Sequence, residues 1–295
     1  MWKCYYSIIM SEAKPEPANL VKELDIPGRY EVVRDWAFAT KQVAEATQDA
    51  TALEVWNFIN HRTALGIAMP EGGIHYFFTE KPERPVDKYV FLTPIVEADI
   101  ERLPKDDFLR KLAEGKHNVA AQYSEGSHAI YLPPQSFGKL GSGILLQHEG
   151  MHALLDLEKR VDRKAKDSHW FEEADVFKFE FTLLVKLIGD RYADLVSRVS
   201  ETIAETDENP NALSASYPLT DEDRKIITEG LKTSNEQEID FWINTVVRLN
   251  AFWEYFRKHY NNSDAELAQM LKAMYSQKSP SNDLLPNWFY DPSGN

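Results

Sequence analysis

Apolar and polar positions alternate along this chain in two different rhythms, and the change of rhythm divides it. From Arg29 to Pro134 the pattern is mixed. Short β-branched or aromatic runs, bounded by Gly, Pro or charge, predict strands at Tyr30–Val33, Ile74–Thr79, Tyr89–Val96, Asn118–Tyr123 and Ala129–Leu132. Between them, apolar residues at helical spacing predict helices over Thr51–Leu65 and Lys105–Ala113. After Gly141-Ser142-Gly143 the rhythm becomes almost wholly helical. One helix is expected with Ser142 as its N-cap, running to about Arg160; the polar run Lys159–Ser168 reads as a loop. A second helix is expected to start near His169, capped by Ser168 or Asp167, and to stop at Gly189. Asp190–Ile203, Thr220–Leu231, Ser234–Tyr260 and Ser263–Gln277 each open on a capping residue and carry apolar periodicity.

The expected architecture is α+β. Residues 1–28, rich in Glu, Lys and Pro, read as an N-terminal arm without order of its own. Residues 29–165 form an α+β subdomain ending in a long helix, 166–278 a helical subdomain, and 279–295 an irregular tail.

Chemistry enters at the first of those long helices. His148-Glu149-Gly150-Met151-His152 is an H-E-x-x-H motif. Residues four apart lie on one helical face, about 6 Å apart along the axis, so both imidazoles can reach one zinc ion. Glu149 then stands where a carboxylate can accept a proton from a zinc-activated water, as a general base. Gly150 costs about 1 kcal/mol of helix propensity relative to Ala, which points to close packing beside the metal. A catalytic zinc needs a third protein ligand. Asp156 shares the face of His152 but lies about 12 Å in axial rise from His148, too far to share the ion. It is expected to hydrogen-bond a ligand or to be a surface charge. The next helix offers Glu172 and Glu173 instead, the carboxylates of Trp170-Phe171-Glu172-Glu173-Ala174.

Taken together, the motif and the glutamates about twenty residues beyond it resemble the gluzincin class of zinc metallopeptidases. Trp170-Phe171-Glu172-Glu173-Ala174 followed by Glu180 is similar to the Trp-Leu-Asn-Glu-Gly segment of the membrane-alanyl-aminopeptidase relatives, and that register implies Glu173 as the third ligand. Counting as in the thermolysin-like enzymes implies Glu172. Helical arithmetic favours Glu173: Glu172 shares the more apolar stripe with Val176, Phe179 and Leu183, whereas Glu173 shares its face with Phe177 and Glu180. Glu180 is then expected to orient a histidine from behind.

The resemblance implies a zincin-like fold and hydrolysis of peptide bonds. It also implies that Ala129–Leu132 serves as the edge strand that holds an extended substrate; His128, immediately before it, could face the same groove but reads first as a solvent-exposed loop histidine. An oxyanion donor is expected from the helical part, where Tyr217, Tyr255, His259 and Tyr260 are available. The aminopeptidases' Gly-x-Met-Glu-Asn motif is absent, so internal cleavage of peptides or unfolded segments is the expectation.

Composition narrows the partners. The formal net charge of −14, from 33 basic and 47 acidic residues, argues against nucleic acid and against anionic membranes. The single cysteine, Cys4, excludes an internal disulfide. The first ten residues lack a signal-peptide pattern, and no window approaches a membrane span, so a cytoplasmic protein is expected. The expected partner is a peptide or protein substrate. The alternative function is a catalytically idle zinc-bound protein that uses the groove for binding or regulation, although an intact Glu149 has no evident use there.

Overall fold

The computed structural model describes residues 6–7, 24–70, 74–78, 83–96, 98–104, 109–110, 114, 121–132, 138–161, 168–205, 220–236, 238–243 and 245–246. The elements are β1 (Tyr6–Ser7), α1 (Ile26–Thr47), α2 (Ala50–Arg62), β2 (Thr63–Ala68), β3 (Ile74–Phe78), a 3-10 turn (Val86–Lys88), β4 (Val90–Pro94), α3 (Ala98–Arg102), β5 (Gln122–Ser124) and β6 (Ala129–Leu132). Then follow α4 (Lys139–Leu157), α5 (Ser168–Ile188), α6 (Asp190–Glu205) and α7 (Asp221–Leu231). The structure is thus mixed α and β. The chain divides into two compact units: residues 1–135 with 145–160, and residues 136–144 with 161–295.

The first unit is built on a mixed sheet in the order β1-β3-β2-β4-β6-β5. β2, β4 and β6 run parallel, with β3 and β5 antiparallel to their neighbours. Side-chain alternation gives the sheet two apolar faces. Leu65, Ile67 and Phe77 point to one, where Leu24 and Ile26 close the core; Ala64, Phe78, Tyr89, Phe91 and Ala129 cluster separately. β2 was not anticipated. Its residues are nearly all buried, so Thr63–Ala68 shows a continuous apolar run rather than alternation, and the run merges with the helical spacing before it. The helix expected over Thr51–Leu65 therefore ends at Arg62, where Thr63 turns to extended backbone.

Tyr30–Val33 is not a strand; it lies inside α1. Asp25 caps that helix by accepting from the Gly28 amide, and a proline in the first turn suits its fixed φ. The apolar stripe Ile26, Trp36, Ala39, Val43 and Ala44 then outweighs the strand preference of two valines. Tyr30 and Val33 pack against the Leu65/Ile67/Phe77 face as helix residues.

One buried ion pair ties α1 to α3. Arg29 and Asp99 are both fully buried and meet through Nη1 at 3.0 Å and Nη2 at 2.7 Å. Asp99 also accepts from the Val96 amide (2.9 Å) and from Arg102 Nη2 (2.6 Å), while Arg29 donates to the Leu24 and Pro94 carbonyls. Burial alone would raise the Asp99 carboxyl. Hydrogen bonds and charge from Arg29, the Val96 amide and Arg102 outweigh it, so its pKa is lowered.

The second unit holds α5, α6, α7 and the start of α4. The expected N-cap at Ser142 is incorrect: α4 begins at Lys139, and the Ser142 amide already donates helically to the Gly138 carbonyl (2.9 Å). The glycines are tolerated because fully buried Trp242 and nearly buried Glu238 crowd Gly141 so closely that a side chain there would collide with both. Glu238 meanwhile accepts from the Gly138 amide at 2.5 Å, a carboxylate at a helix N-terminus. α5 stops at Gly189 in the left-handed region (φ 72°), as expected, and Thr220 forms a capping box with Asp223 at the start of α7. The predicted helix over Lys105–Ala113 is described only at residues 109–110, and Asn118–Tyr123 only from residue 121. Ser234–Tyr260 is described in part, and Ser263–Gln277 and the tail lie outside the described residues. No helix among the described residues is long and apolar enough to cross a membrane.

Candidate metal centre

α4 carries the H-E-x-x-H motif at its middle, where both imidazoles are held by packing. His148 is 9% and His152 7% exposed, with ring centroids 5.2 Å apart and planes at 64°. The helix is pinned from the residue before. Gln147, fully buried, donates its Nε2 to the carbonyls of Ala52 (3.1 Å) and Thr40 (3.3 Å), fixing α4 against α1 and α2. Gly150 faces α2 closely. A Cβ there would stand 2.7 Å from Ile59 Cδ1 and 2.8 Å from Val55 Cγ1. The close packing expected at Gly150 is therefore present, and its partner is an apolar helix face. Gly150→Ala gains helix propensity but must push a β-branched neighbour, for a net loss of roughly 1 kcal/mol. Gly150→Val is expected to lose about 3 kcal/mol in urea unfolding; unchanged midpoints for both would disprove the packing argument.

The nitrogens of His148 and His152 and a carboxylate oxygen of Glu173 all lie within 4.8 Å of one another, so these three side chains could hold a metal ion. The donor set, two imidazoles and one carboxylate, is that of a zinc site with an open fourth position. Glu172, the alternative third ligand, is not part of this trio; it is 3% exposed on the buried stripe of α5 with Val176, Phe179 and Leu183. Glu180 lies seven residues beyond Glu173 on α5, two helical turns away, and is 5% exposed.

Glu149 is half-buried and accepts a hydrogen bond from the Tyr123 backbone amide, N to Oε2 2.6 Å. The same tyrosine donates its phenol to Asp156 Oδ2, also at 2.6 Å. Asp156 thus lies seven residues beyond Glu149 and engages the sheet, with His128 Nε2 4.0 Å from its carboxylate. His128 occupies the β5–β6 turn with φ 48°. Two contributors were not anticipated. Tyr123 was placed in a strand, but its partners lie 26 and 33 residues away in sequence. Gln147 differs in no visible way from a surface glutamine.

The expected substrate-holding strand needs correction. Ala129–Leu132 is β6, hydrogen-bonded on both sides, to β4 and to β5. Among the described strands the edge is β5. Tyr217, Tyr255, His259 and Tyr260, the residues from which an oxyanion donor would be drawn, lie outside the described residues.

Comparison with family models, curated proteins and solved structures finds no match to this chain.

Proposed function

We propose that this protein is a zinc-dependent metallopeptidase of the gluzincin type, holding one zinc ion through His148, His152 and Glu173. The observation that carries the proposal is the approach of those three ligand atoms to within 4.8 Å of one another, two of them on nearly buried imidazoles. An accidental H-E-x-x-H would need no carboxylate beside it.

Zinc held there would supply Lewis acidity toward the scissile carbonyl and a bound water. The chain's own residues do the rest. Glu149, one residue from His148 and half-buried, accepts the proton of the attacking water and returns it to the leaving amine. The Tyr123 amide holds the carboxylate in place at 2.6 Å in the free protein. β5, the outer strand beside Glu149, supports the reading of a peptide substrate, because an extended backbone can pair with a strand edge without regard to its side chains. Glu173 rather than Glu172 is the third ligand in this reading, because burial on the apolar stripe keeps Glu172 with the helix core.

The test is metal content and cleavage of a fluorescent peptide mixture on one preparation. About one zinc per chain is expected, with cleavage lost on chelation and restored by zinc. A preparation that stays metal-free in micromolar zinc overturns the proposal.

A further inference from the structure

β5 is three residues long and pairs antiparallel with β6 through Gln122↔Tyr131, Tyr123↔Ile130 and Ser124↔Ala129. In an antiparallel ladder, successive residues turn their amides alternately toward and away from the partner. The Tyr123 amide points to Glu149, so the amides of Gln122 and Ser124 face β6 and that of Tyr123 is the outward one of the three. A peptide strand joining the outer edge of β5 needs this donor for its own carbonyl. Glu149 Oε2 holds it in a short hydrogen bond, 2.6 Å from N to O.

Resting on the peptidase reading, we propose that the Tyr123 amide is a contested donor: the carboxylate of Glu149 holds it in the free protein, and an extended peptide added to β5 takes it. Seating the substrate backbone then removes this hydrogen bond from the general base in the same event, when a peptide bond lies beside it. The second bond of Tyr123 makes the exchange orderly. Its phenol stays on Asp156 at 2.6 Å while the amide changes partner, so β5 keeps its place against α4. The transfer is a swap of acceptors on one N–H. No proton leaves the amide.

The swap has a consequence opposite to that of an ordinary binding residue: removing Glu149 strengthens peptide binding. The experiment measures binding of a fluorescent random hexapeptide mixture, by anisotropy, to EDTA-treated wild type, Glu149→Gln and Glu149→Ala, with folding of each checked by circular dichroism. Cleavage of the same mixture by zinc-loaded wild type is measured in parallel. The expected affinity of Glu149→Ala is about tenfold above wild type, the factor that corresponds to freeing a donor from a charged acceptor. Glu149→Gln, a weaker acceptor, falls between. Equal or weaker binding by Glu149→Ala overturns the inference, and if wild type still cleaves the mixture the peptidase reading stands without it. Tighter binding by Glu149→Ala without cleavage by wild type supports the contested donor and removes the peptidase reading. Absence of binding by all three proteins overturns the inference outright.

Discussion

Glu149→Gln is expected to lower peptide cleavage by about 10²–10⁴-fold while leaving zinc content at the wild-type level. The range is what a positioned general base contributes. Two features make this variant discriminating. Glu149 is absent from the trio of ligand atoms, so its charge is not required to hold the ion. Glutamine also keeps the side chain's size and an oxygen acceptor for the Tyr123 amide, so the contact between α4 and β5 survives the change. Zinc content by elemental analysis and initial cleavage rates on the same sample report the two properties separately. Loss of zinc together with activity would reassign Glu149 to the metal. Retention of full activity would remove Glu149 as the general base, and absence of cleavage by zinc-loaded wild type would leave the idle, zinc-bound role.

The second large effect is on stability. Asp99→Ala is expected to destabilise the first unit by about 3–5 kcal/mol, because it leaves the fully buried Arg29 guanidinium without its counter-charge. That is a large share of the 5–15 kcal/mol that typically holds a domain together. The same pair sets a pH dependence. Asp99 titrates below its ordinary value in the folded protein, because Arg29, the Val96 amide and Arg102 overcome the opposing effect of burial. A carboxyl with a lowered folded pKa contributes stability that is fully present above its unfolded value, near 3.9, and is lost as pH falls through the folded value. Urea midpoints of wild type should therefore fall below about pH 4 more steeply than those of Asp99→Asn. Parallel acid slopes would show that Asp99 has no special role there.

Local chemistry was legible in the sequence where it is local in space. The placement of His148 and His152 on one face follows from helical spacing alone. The preference for Glu173 over Glu172 came from the register of the aminopeptidase resemblance, with the apolar stripe of α5 in agreement; Glu172 is nearly buried. Gly189 and Thr220 marked helix ends by the backbone freedom of one and the side-chain acceptor of the other. What stayed hidden depends on distant partners. The Arg29–Asp99 pair spans 70 residues, and Gln147 reaches carbonyls 95 and 107 residues away. The role of Tyr123 arises only once β5 is at the sheet edge, and nothing in Gln122-Tyr123-Ser124 says which strand is outermost. β2 was hidden for a different reason: burial on both faces erases the alternation by which a half-exposed strand is recognised. In α1 a long amphipathic face overrode the strand preference of a four-residue run.

Zinc per chain, measured by elemental analysis after dialysis, tests the account most directly when wild type, Glu172→Ala and Glu173→Ala are compared as folded proteins. About one ion is expected in wild type and in Glu172→Ala, and little in Glu173→Ala, where two imidazoles alone remain. Wild-type zinc content in Glu173→Ala, or none in wild type, would contradict it.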